Sequence, residues 1–358
     1  MAALPPEDAT QSLTSWTPLR RAGLAAGGAL LFALLVHAGP EALARSLAEV
    51  GWRFVVVLPL GGATALLNAF SWWLATPPAR RVPLGALLRM LLAGEAVNTL
   101  APVGLVGGEV VRYRGLSRWI PSPDAFKSVA LAATTQFAAQ VIFIVLALPA
   151  VLLALVESRW RVPVLAATAG GVVLLSAMIC VVVAPSGVRA LARRVMRPPG
   201  AARLLSLVPR SATDFLRGMA AELRRRPRDV CLSTAAALAA WQVGVVETRL
   251  VLGLMGHAVS YGRALAIESL AVAIEGVLFF VPARLGTLEG GRVAACMAVG
   301  LDPAAGLTLG IVRRTRELVW AACGLAFLAT TRSGREREAK ASQPLAPGVI
   351  RGGPPLPG

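Results

Sequence analysis

The chain has 358 residues, of which 56% are hydrophobic, with a mean hydropathy of +0.66 and a formal net charge of +17. A soluble domain is usually about 45–50% apolar, so the composition excludes an ordinary soluble domain. The positive charge does not indicate a nucleic-acid partner, because the arginines cluster between apolar segments without interleaved aromatic residues for base stacking.

Several apolar segments are long enough to cross a bilayer, which takes roughly 17–25 residues per helix. In chain order they are Ala22–Ala38, Phe54–Leu74, Ser128–Val156, Val162–Ala184, Val230–Met255 and Ala304–Thr330. Two more apolar stretches, Leu84–Gly108 and Ile267–Gly290, contain proline, glycine and charged residues. The pattern predicts an all-α polytopic integral membrane protein with about 7–9 transmembrane helices, including two broken or re-entrant segments.

The flanks of this region have a different composition. Residues 1–20 and 332–358 are rich in proline, glycine and charge, and both are predicted to be disordered. This leaves 21–331 as a single transmembrane domain.

A basic loop, residues 185–229, separates two of the apolar segments. Its basic residues are Arg189, Arg193, Arg194, Arg197, Arg203, Arg210, Arg217, Arg224, Arg225, Arg226 and Arg228. Loops rich in lysine and arginine usually face the cytoplasm. The basic loop and the N-terminus are therefore predicted to be cytoplasmic, and the protein is predicted to lie in an inner or plasma membrane. Such a loop also attracts anionic lipid headgroups.

Metal and thiol chemistry are not indicated. The cysteines Cys180, Cys231, Cys296 and Cys323 form no CxxC pair, and the two histidines lie far apart. We therefore expect no metal site, no cofactor and no catalytic residues.

Two charged stretches share a spacing. "EAVNTLAPVGLVGGEVVRYRG" begins at Glu95, "EGVLFFVPARLGTLEGGR" begins at Glu275, and both read E-x6-P-x6-E-x2-R, 180 positions apart. The matched residues are Glu95, Pro102, Glu109 and Arg112 in the first stretch, and Glu275, Pro282, Glu289 and Arg292 in the second. Each stretch also carries a Gly-Gly pair, Gly107–Gly108 and Gly290–Gly291.

Either a duplication or chance in a sequence of low complexity explains this match. Three apolar segments separate the stretches, so a duplicated copy would be inverted, as in transporters whose broken helices surround a midplane substrate site. Proline and glycine break helices, and such backbone is tolerated at membrane depth only where protein or water surrounds it. The alternative is an ordinary loop outside the membrane.

Charged residues in the apolar or broken segments are candidates for a site, because each costs about 3 kcal/mol or more in hydrocarbon unless it is paired or hydrated. They are Glu95, Glu109, Arg112, Glu247, Arg249, Glu268, Glu275, Arg284, Glu289, Arg292, Arg313, Arg314, Arg316 and Glu317. The i,i+3 pairs Glu109/Arg112 and Glu289/Arg292 predict ion pairs on one helix face. The arginines also suit a lipid phosphate, and the two interpretations are compatible.

"RRTRE", Arg313–Glu317, is either a turn between short helices or a charged belt within one helix.

Val97–Leu116 and Phe279–Leu325 resemble the two signatures of the lysylphosphatidylglycerol synthase transmembrane-domain family, often described as flippase-like. "FFVPARLGTLEGG" is most similar to the branch associated with hopanoid biosynthesis, although Arg284 stands where a glycine is usual. The positions that correspond to family motifs are Asn98, Pro102, Gly107, Gly108, Glu109, Arg112, Pro282, Gly286, Glu289, Gly290 and Arg313.

The resemblance implies a protein that moves or presents an amphiphilic lipid, with those positions and Glu95, Glu275 and Arg292 as substrate-binding residues. Bifunctional family members carry a soluble aminoacyl-transferase domain, which does not follow the last apolar segment here, so we expect no enzymatic activity. A non-transporting scaffold for lipid-biosynthesis enzymes is the main alternative. An intramembrane headgroup transferase is a further one.

Overall fold

The computed structural model describes residues 40–100, 106–155, 162, 221–277 and 286–341, and the structural statements below concern these residues. The α-helices are α1 (Pro40–Val50), α2 (Leu58–Ala75), α3 (Leu84–Leu100), α4 (Val106–Leu116), α5 (Ser122–Ala154), α6 (Pro227–Leu254), α7 (Tyr261–Val277), α8 (Thr287–Ala298) and α9 (Pro303–Ala341). Short 3-10 helices occupy Gly51–Val56 and Pro78–Arg80. The described residues include no strand, which confirms the all-α prediction.

Local sequence explains where several helices begin. Proline lies in the first turn of α2, α5 and α6, where its missing N–H group removes no helical hydrogen bond. Asp302 caps α9, because its Oδ1 accepts a hydrogen bond from the N–H of Ala305 at 2.9 Å.

Two described helices, α5 and α6, are long and apolar enough to cross a membrane. A third span results if Ala48–Val56 and Leu58–Ala75, bent by 43°, are taken together. The predicted segments Ala22–Ala38 and, apart from Val162, Val162–Ala184 lie outside the described residues, so the number of 7–9 spans stays a prediction.

The last helix differs from two expectations. Arg313–Glu317 lies inside the continuous helix α9, so the charged belt is the correct interpretation and the turn is wrong. Helix α9 also continues to Ala341, so residues 332–341 are helical rather than disordered as predicted. Residues 342–358 lie outside the described part.

The repeat seen in the two motifs extends over four helices. Helices α2, α3, α4 and α5 are followed in the same order by α6, α7, α8 and α9. Helices α3 and α7 each have 17 residues, and the short helices α4 and α8 have 11 and 12. The starts of corresponding helices from α3 onward are displaced by close to the 180 positions that separate the motifs. Duplication therefore explains the shared spacing better than chance does.

The corresponding helices α2 and α6 run antiparallel. Ser71, near the end of α2, lies 2.9 Å from Ser233, near the start of α6, between their Oγ atoms. Arg226, just before α6, donates to the carbonyl oxygen of Thr76, just after α2, at 3.1 Å. Opposite orientation of corresponding helices is what an inverted repeat requires.

Helices α3 and α4 form a hairpin, which we call hairpin 1 (Leu84–Leu116). A Cβ atom on Gly94 would lie 2.9 Å from both Arg112 Nε and the carbonyl oxygen of Gly108, so the two helices pack closely. The ends of the hairpin lie together, because Arg80, before α3, forms a 3.2 Å salt bridge with Asp124, after α4. We call this the arginine end of the molecule.

Helices α7 and α8 form hairpin 2 (Tyr261–Ala298) at the opposite end. Arg263 Nη2, at the start of α7, donates to the carbonyl oxygen of Val299, after α8, at 2.8 Å. His257 and Asp302, on either side of the hairpin, lie 3.7 Å apart. Trp52 lies near this end, beside Met255 and Gly256, so we call it the tryptophan end.

The stretch Glu95–Gly115 therefore returns to the end of the molecule from which it came, as does its counterpart in hairpin 2. The two hairpins start from opposite ends. Their tips, 101–105 and 278–285, which hold Pro102, Pro282 and Arg284, lie outside the described residues.

The long last helix of each half also packs against the hairpin of the other half. Helix α9 of the second half packs against α3 of hairpin 1, and α5 of the first half packs against α7 of hairpin 2. Gly324 permits the first contact, because a Cβ atom there would lie 2.1 Å from the carbonyl oxygen of Leu92. Each hairpin is thus held by the long helix of the other half as well as its own.

We predict that Gly85→Cys and Gly262→Cys are labelled from opposite sides of the membrane. Both glycines lie at the first turn of a hairpin, and an added Cβ meets nothing within 4 Å at either position. The measurement is labelling with a membrane-impermeant maleimide in a background without the native cysteines. Labelling of both from one side would contradict the inverted arrangement.

Candidate functional site

One arginine holds hairpin 1 together across its break. Arg112 of α4 donates from Nη1 to Glu109 Oε1 at 2.6 Å, and its Nη2 contacts Glu95 of α3. The Arg112 side chain is only 8% exposed, whereas those of Glu95 and Glu109 are 50% and 34% exposed. A buried guanidinium therefore binds two carboxylates that remain partly accessible.

The family-motif residues of hairpin 1 also meet. Asn98 Oδ1 accepts a hydrogen bond from the N–H of Gly108 at 2.8 Å, which satisfies one of the free donors at the start of α4. A Cβ atom on Gly108 would lie 2.4 Å from the Asn98 amide, so only glycine fits without displacing it. Gly107 precedes it, partly buried, in the first turn of α4.

Hairpin 2 contains the corresponding contact. Arg292 Nη1 donates to Glu275 Oε1 at 2.5 Å and to the carbonyl oxygen of Leu288 at 3.0 Å. As with Arg112 and Glu95, the glutamate lies 17 residues before the arginine, across the break. Both hairpins are therefore closed by the same arginine–glutamate pair.

The predicted i,i+3 pairs differ in outcome. Glu109 binds Arg112, but Glu289 does not pair with Arg292. Glu289 Oε1 instead accepts from Arg314 Nε of α9 at 3.0 Å. Helix α9 approaches closely at this point, since a Cβ atom on Gly310 would lie 2.9 Å from the Cα of Glu289. A partner from a distant helix has replaced the local one.

A buried charge network surrounds hairpin 2. Arg313 Nη1 lies 2.7 Å from Glu268 and 3.6 Å from Glu247, and Arg316 Nη1 lies 2.8 Å from Glu247. Glu268 also accepts from Thr248 Oγ1 at 2.7 Å. Because these carboxylates are at most 1% exposed, each depends on the arginines of α9 for its charge.

The sequence identified Glu247, Glu268, Arg314 and Arg316 as charges in apolar segments but did not assign them to the site.

The remaining glycines that the sequence assigned to the site, Gly286 and Gly290, lie at the start of α8. Gly286 has a left-handed φ of 71°, which favours glycine, and its carbonyl oxygen accepts from the N–H of Gly290 at 2.8 Å.

The predicted site residues form two separate clusters, since no salt bridge joins the hairpins within the described ranges. Helix α5 runs between them. Its Gln136 lines the space beside Arg112, and its Gln140 lies 3.8 Å from where a Cβ on Gly276 would be. The long helix α5 therefore presents a neutral amide to each hairpin.

The space beside Arg112 is small. A cavity of about 10 Å³ is bounded by Trp72, Leu91, Glu109, Arg112 and Gln136, among other residues, and this is room for about one water molecule. The space between these described residues is therefore too small for a lipid headgroup.

The class of protein follows from these features: a helical integral membrane protein built on an inverted repeat, with two ion-paired hairpins from opposite ends. The sequence profile of the family described as "Lysylphosphatidylglycerol synthase TM region" matches residues 21–324. The chain belongs to this family, which confirms the family predicted from the motifs and gives the protein a function related to membrane lipids. The match does not distinguish the hopanoid branch. No curated protein and no solved structure shows significant similarity to the chain.

We predict that Arg292→Ala destabilises the protein more than Arg112→Ala does. Arg292 is 1% exposed and Glu275 13% exposed, so loss of Arg292 removes an arginine that lies 2.5 Å from a mostly buried carboxylate, a change that costs about 3–5 kcal/mol at buried pairs. Arg112 binds carboxylates that are partly exposed, so its loss costs less. Thermal unfolding in detergent measures the difference, with the exposed Arg114→Ala as the matched control. Equal losses for Arg112 and Arg292 would contradict the burial argument.

Proposed function

We propose that the protein is a flippase-like lipid transporter that moves or presents an amphiphilic lipid across the inner membrane. The lipid class is a hopanoid, a glycolipid or a phospholipid. The observation that carries the proposal is the pair of hairpins from opposite ends of the fold, each closed by an arginine–glutamate contact across its break. Such a pair offers one headgroup site toward each side of the membrane.

The arginines suit a lipid headgroup. A guanidinium binds phosphate or carboxylate with a planar fork of donors, and here that fork is occupied by glutamate oxygens. An anionic headgroup would replace a glutamate on Arg112 while the acyl chains stay in the bilayer. Since Glu95 is half exposed, its contact with Arg112 is the one that an incoming headgroup reaches first.

The orientation we propose places the arginine end in the cytoplasm. Arg80, Arg81 and Arg226 lie there, at the described margin of the basic loop 185–229. The positive-inside rule supports this direction, and the loop would bind anionic lipid headgroups. Hairpin 1 would then receive lipid from the cytoplasmic side and hairpin 2 from the opposite side.

We also propose that transport proceeds without catalysis. No bond of the lipid is made or broken in this scheme, and none of the steps uses a metal or a cofactor. Enzymes of lipid biosynthesis would supply or consume the lipid as partners.

The test is lipid movement in proteoliposomes of phosphatidylcholine. The probes are fluorescent phosphatidylglycerol, phosphatidylethanolamine and a glycolipid, and a membrane-impermeant reductant quenches probe on the outside. We expect Arg112→Ala to slow movement about tenfold to a hundredfold, because a hydrogen bond to a charged group contributes about 1.5–3 kcal/mol. Arg112→Lys should recover part of the rate, since it keeps the charge without the fork.

Arg114→Ala is the matched control, because this exposed arginine lies on the same helix outside the ion pairs. A wild-type rate for a folded Arg112→Ala variant would refute the role of Arg112. If the wild-type protein moves none of the three probes, the scaffold for lipid-biosynthesis enzymes becomes the better interpretation.

A further inference from the structure

The two charge clusters differ in the number of arginines that bind their carboxylates. Around hairpin 2, four carboxylates are bound by four guanidinium groups. The bound carboxylates belong to Glu247, Glu268, Glu275 and Glu289, and the guanidinium groups to Arg292, Arg313, Arg314 and Arg316. A further carboxylate, Glu317, also acts on Arg313 and Arg316. In hairpin 1, Glu95 and Glu109 share the single guanidinium of Arg112. Hairpin 1 therefore carries one negative charge more than its arginine compensates.

The difference arises from the long helix that packs on each hairpin. In the second half, α9 supplies Arg314 to Glu289. In the first half, α5 corresponds to α9, and the side chains that it places beside Glu109 and Arg112 are the uncharged Val129, Ala132 and Gln136. Hairpin 1 therefore has Glu109 as the counterpart of Glu289, but α5 provides no counterpart of Arg314.

Other elements near hairpin 1 do not make up the deficit. Helix α2 and the tip 101–105 contain no charged residue in the sequence. The charged residues of α5 are Asp124 and Lys127 near the arginine end, where Asp124 pairs with Arg80. Arg89 of α3 lies over the ring of Phe327, and Arg114 of α4 is exposed.

On helix α9, Arg313, Arg314 and Arg316 each bind carboxylates of α6, α7 or α8. The charged groups that act on Glu109 are Arg112 and Glu95. Among the described side chains, Arg112 is thus the cation with which Glu95 and Glu109 form salt bridges.

A second observation points to an exchangeable ligand at this place. The Arg112 side chain is buried, and its Nε has no hydrogen-bond partner. The cavity that Arg112 lines with Glu109 and Gln136 has room for about one water molecule. A small polar species can therefore reach the pair of carboxylates.

We propose that Glu95 and Glu109 together hold one exchangeable proton. Two carboxylates that share one cation at membrane depth cannot both stay ionised at low cost, and such a pair binds a proton as a unit. One proton enters and one carboxylate becomes neutral, while the other stays ionised on Arg112. The exposed parts of Glu95 and Glu109 leave the pair open to proton exchange.

This proposal deepens the proposed function and rests on it for its role in transport. An anionic headgroup that takes Arg112 displaces its carboxylates, and the displaced carboxylates then bind protons more strongly. Proton and anionic headgroup would therefore bind together at hairpin 1. A proton gradient could drive lipid movement by this coupling.

The experiment is infrared difference spectroscopy of the purified full-length protein in nanodiscs across a pH step, which detects protonated carboxyl groups without any transport. We expect a protonated carboxyl in the wild-type protein near neutral pH that is lost on going to alkaline pH. Glu95→Gln and Glu109→Gln should each abolish this signal alone, since the remaining carboxylate then has Arg112 to itself. Both variants restore a balance of one to one, so we expect them to remain folded.

Glu275→Gln is the matched control, because Glu275 has the position of Glu95 in the other hairpin. It should leave the signal in place. Gln136→Arg, which supplies a cation beside Glu109, should remove the signal.

A signal that survives in both Glu95→Gln and Glu109→Gln, or its absence from the wild-type protein, would overturn the proposal. Loss of the signal in Glu275→Gln, or its retention in a folded Gln136→Arg variant, would do the same. The outcomes separate the two proposals. A proton at this pair in a protein that moves no lipid refutes transport alone, and lipid movement without the proton refutes only the coupling.

Discussion

An arginine that binds a glutamate across a helix break is the contact on which both halves of this protein depend. Arg112 with Glu95 and Arg292 with Glu275 join the two helices of each hairpin at the same spacing. A charged side chain at membrane depth is costly alone, so each member of the pair keeps the other in place. The break in the helix can persist because this contact, with the capping of α4 by Asn98, ties its two sides together.

The halves have nonetheless diverged. Hairpin 1 holds its charged groups within its own two helices, whereas hairpin 2 depends on arginines from α9 and faces a carboxylate of α6. Close backbone contacts follow the same division. Gly306 and Gly310 of α9 bring it against the backbone of α8, where a Cβ atom would overlap Val293 and Glu289. Hairpin 2 is therefore fixed to α9 by charge and by packing together, whereas hairpin 1 meets α9 through the backbone contact of Gly324 with Leu92.

The sequence could predict features that depend on local spacing or composition. The matched motifs placed both hairpins and identified the family, and the apolar segments identified the membrane protein. Contacts between distant segments could not be predicted in this way. The i,i+3 rule assigned Arg292 to Glu289, but α9 brings Arg314 to that carboxylate from 25 positions away. From the sequence, Arg313–Glu317 could be either a turn outside the membrane or a charged belt within a helix, because its charges can be stabilised by water or by buried partners. The carboxylates that pair with it lie on α6, α7 and α8.

The dependence of hairpin 2 on α9 has a consequence for biosynthesis. A chain leaves the ribosome from its N-terminus, and early segments can fold before later ones exist. Hairpin 1 carries Glu95, Glu109 and Arg112 itself, so its ion pairs can form as soon as α4 has been made. Glu247, Glu268 and Glu289 must instead wait for the arginines of α9, which is made after α6, α7 and α8. The ion pairs of the second half can thus be completed only once α9 has left the ribosome.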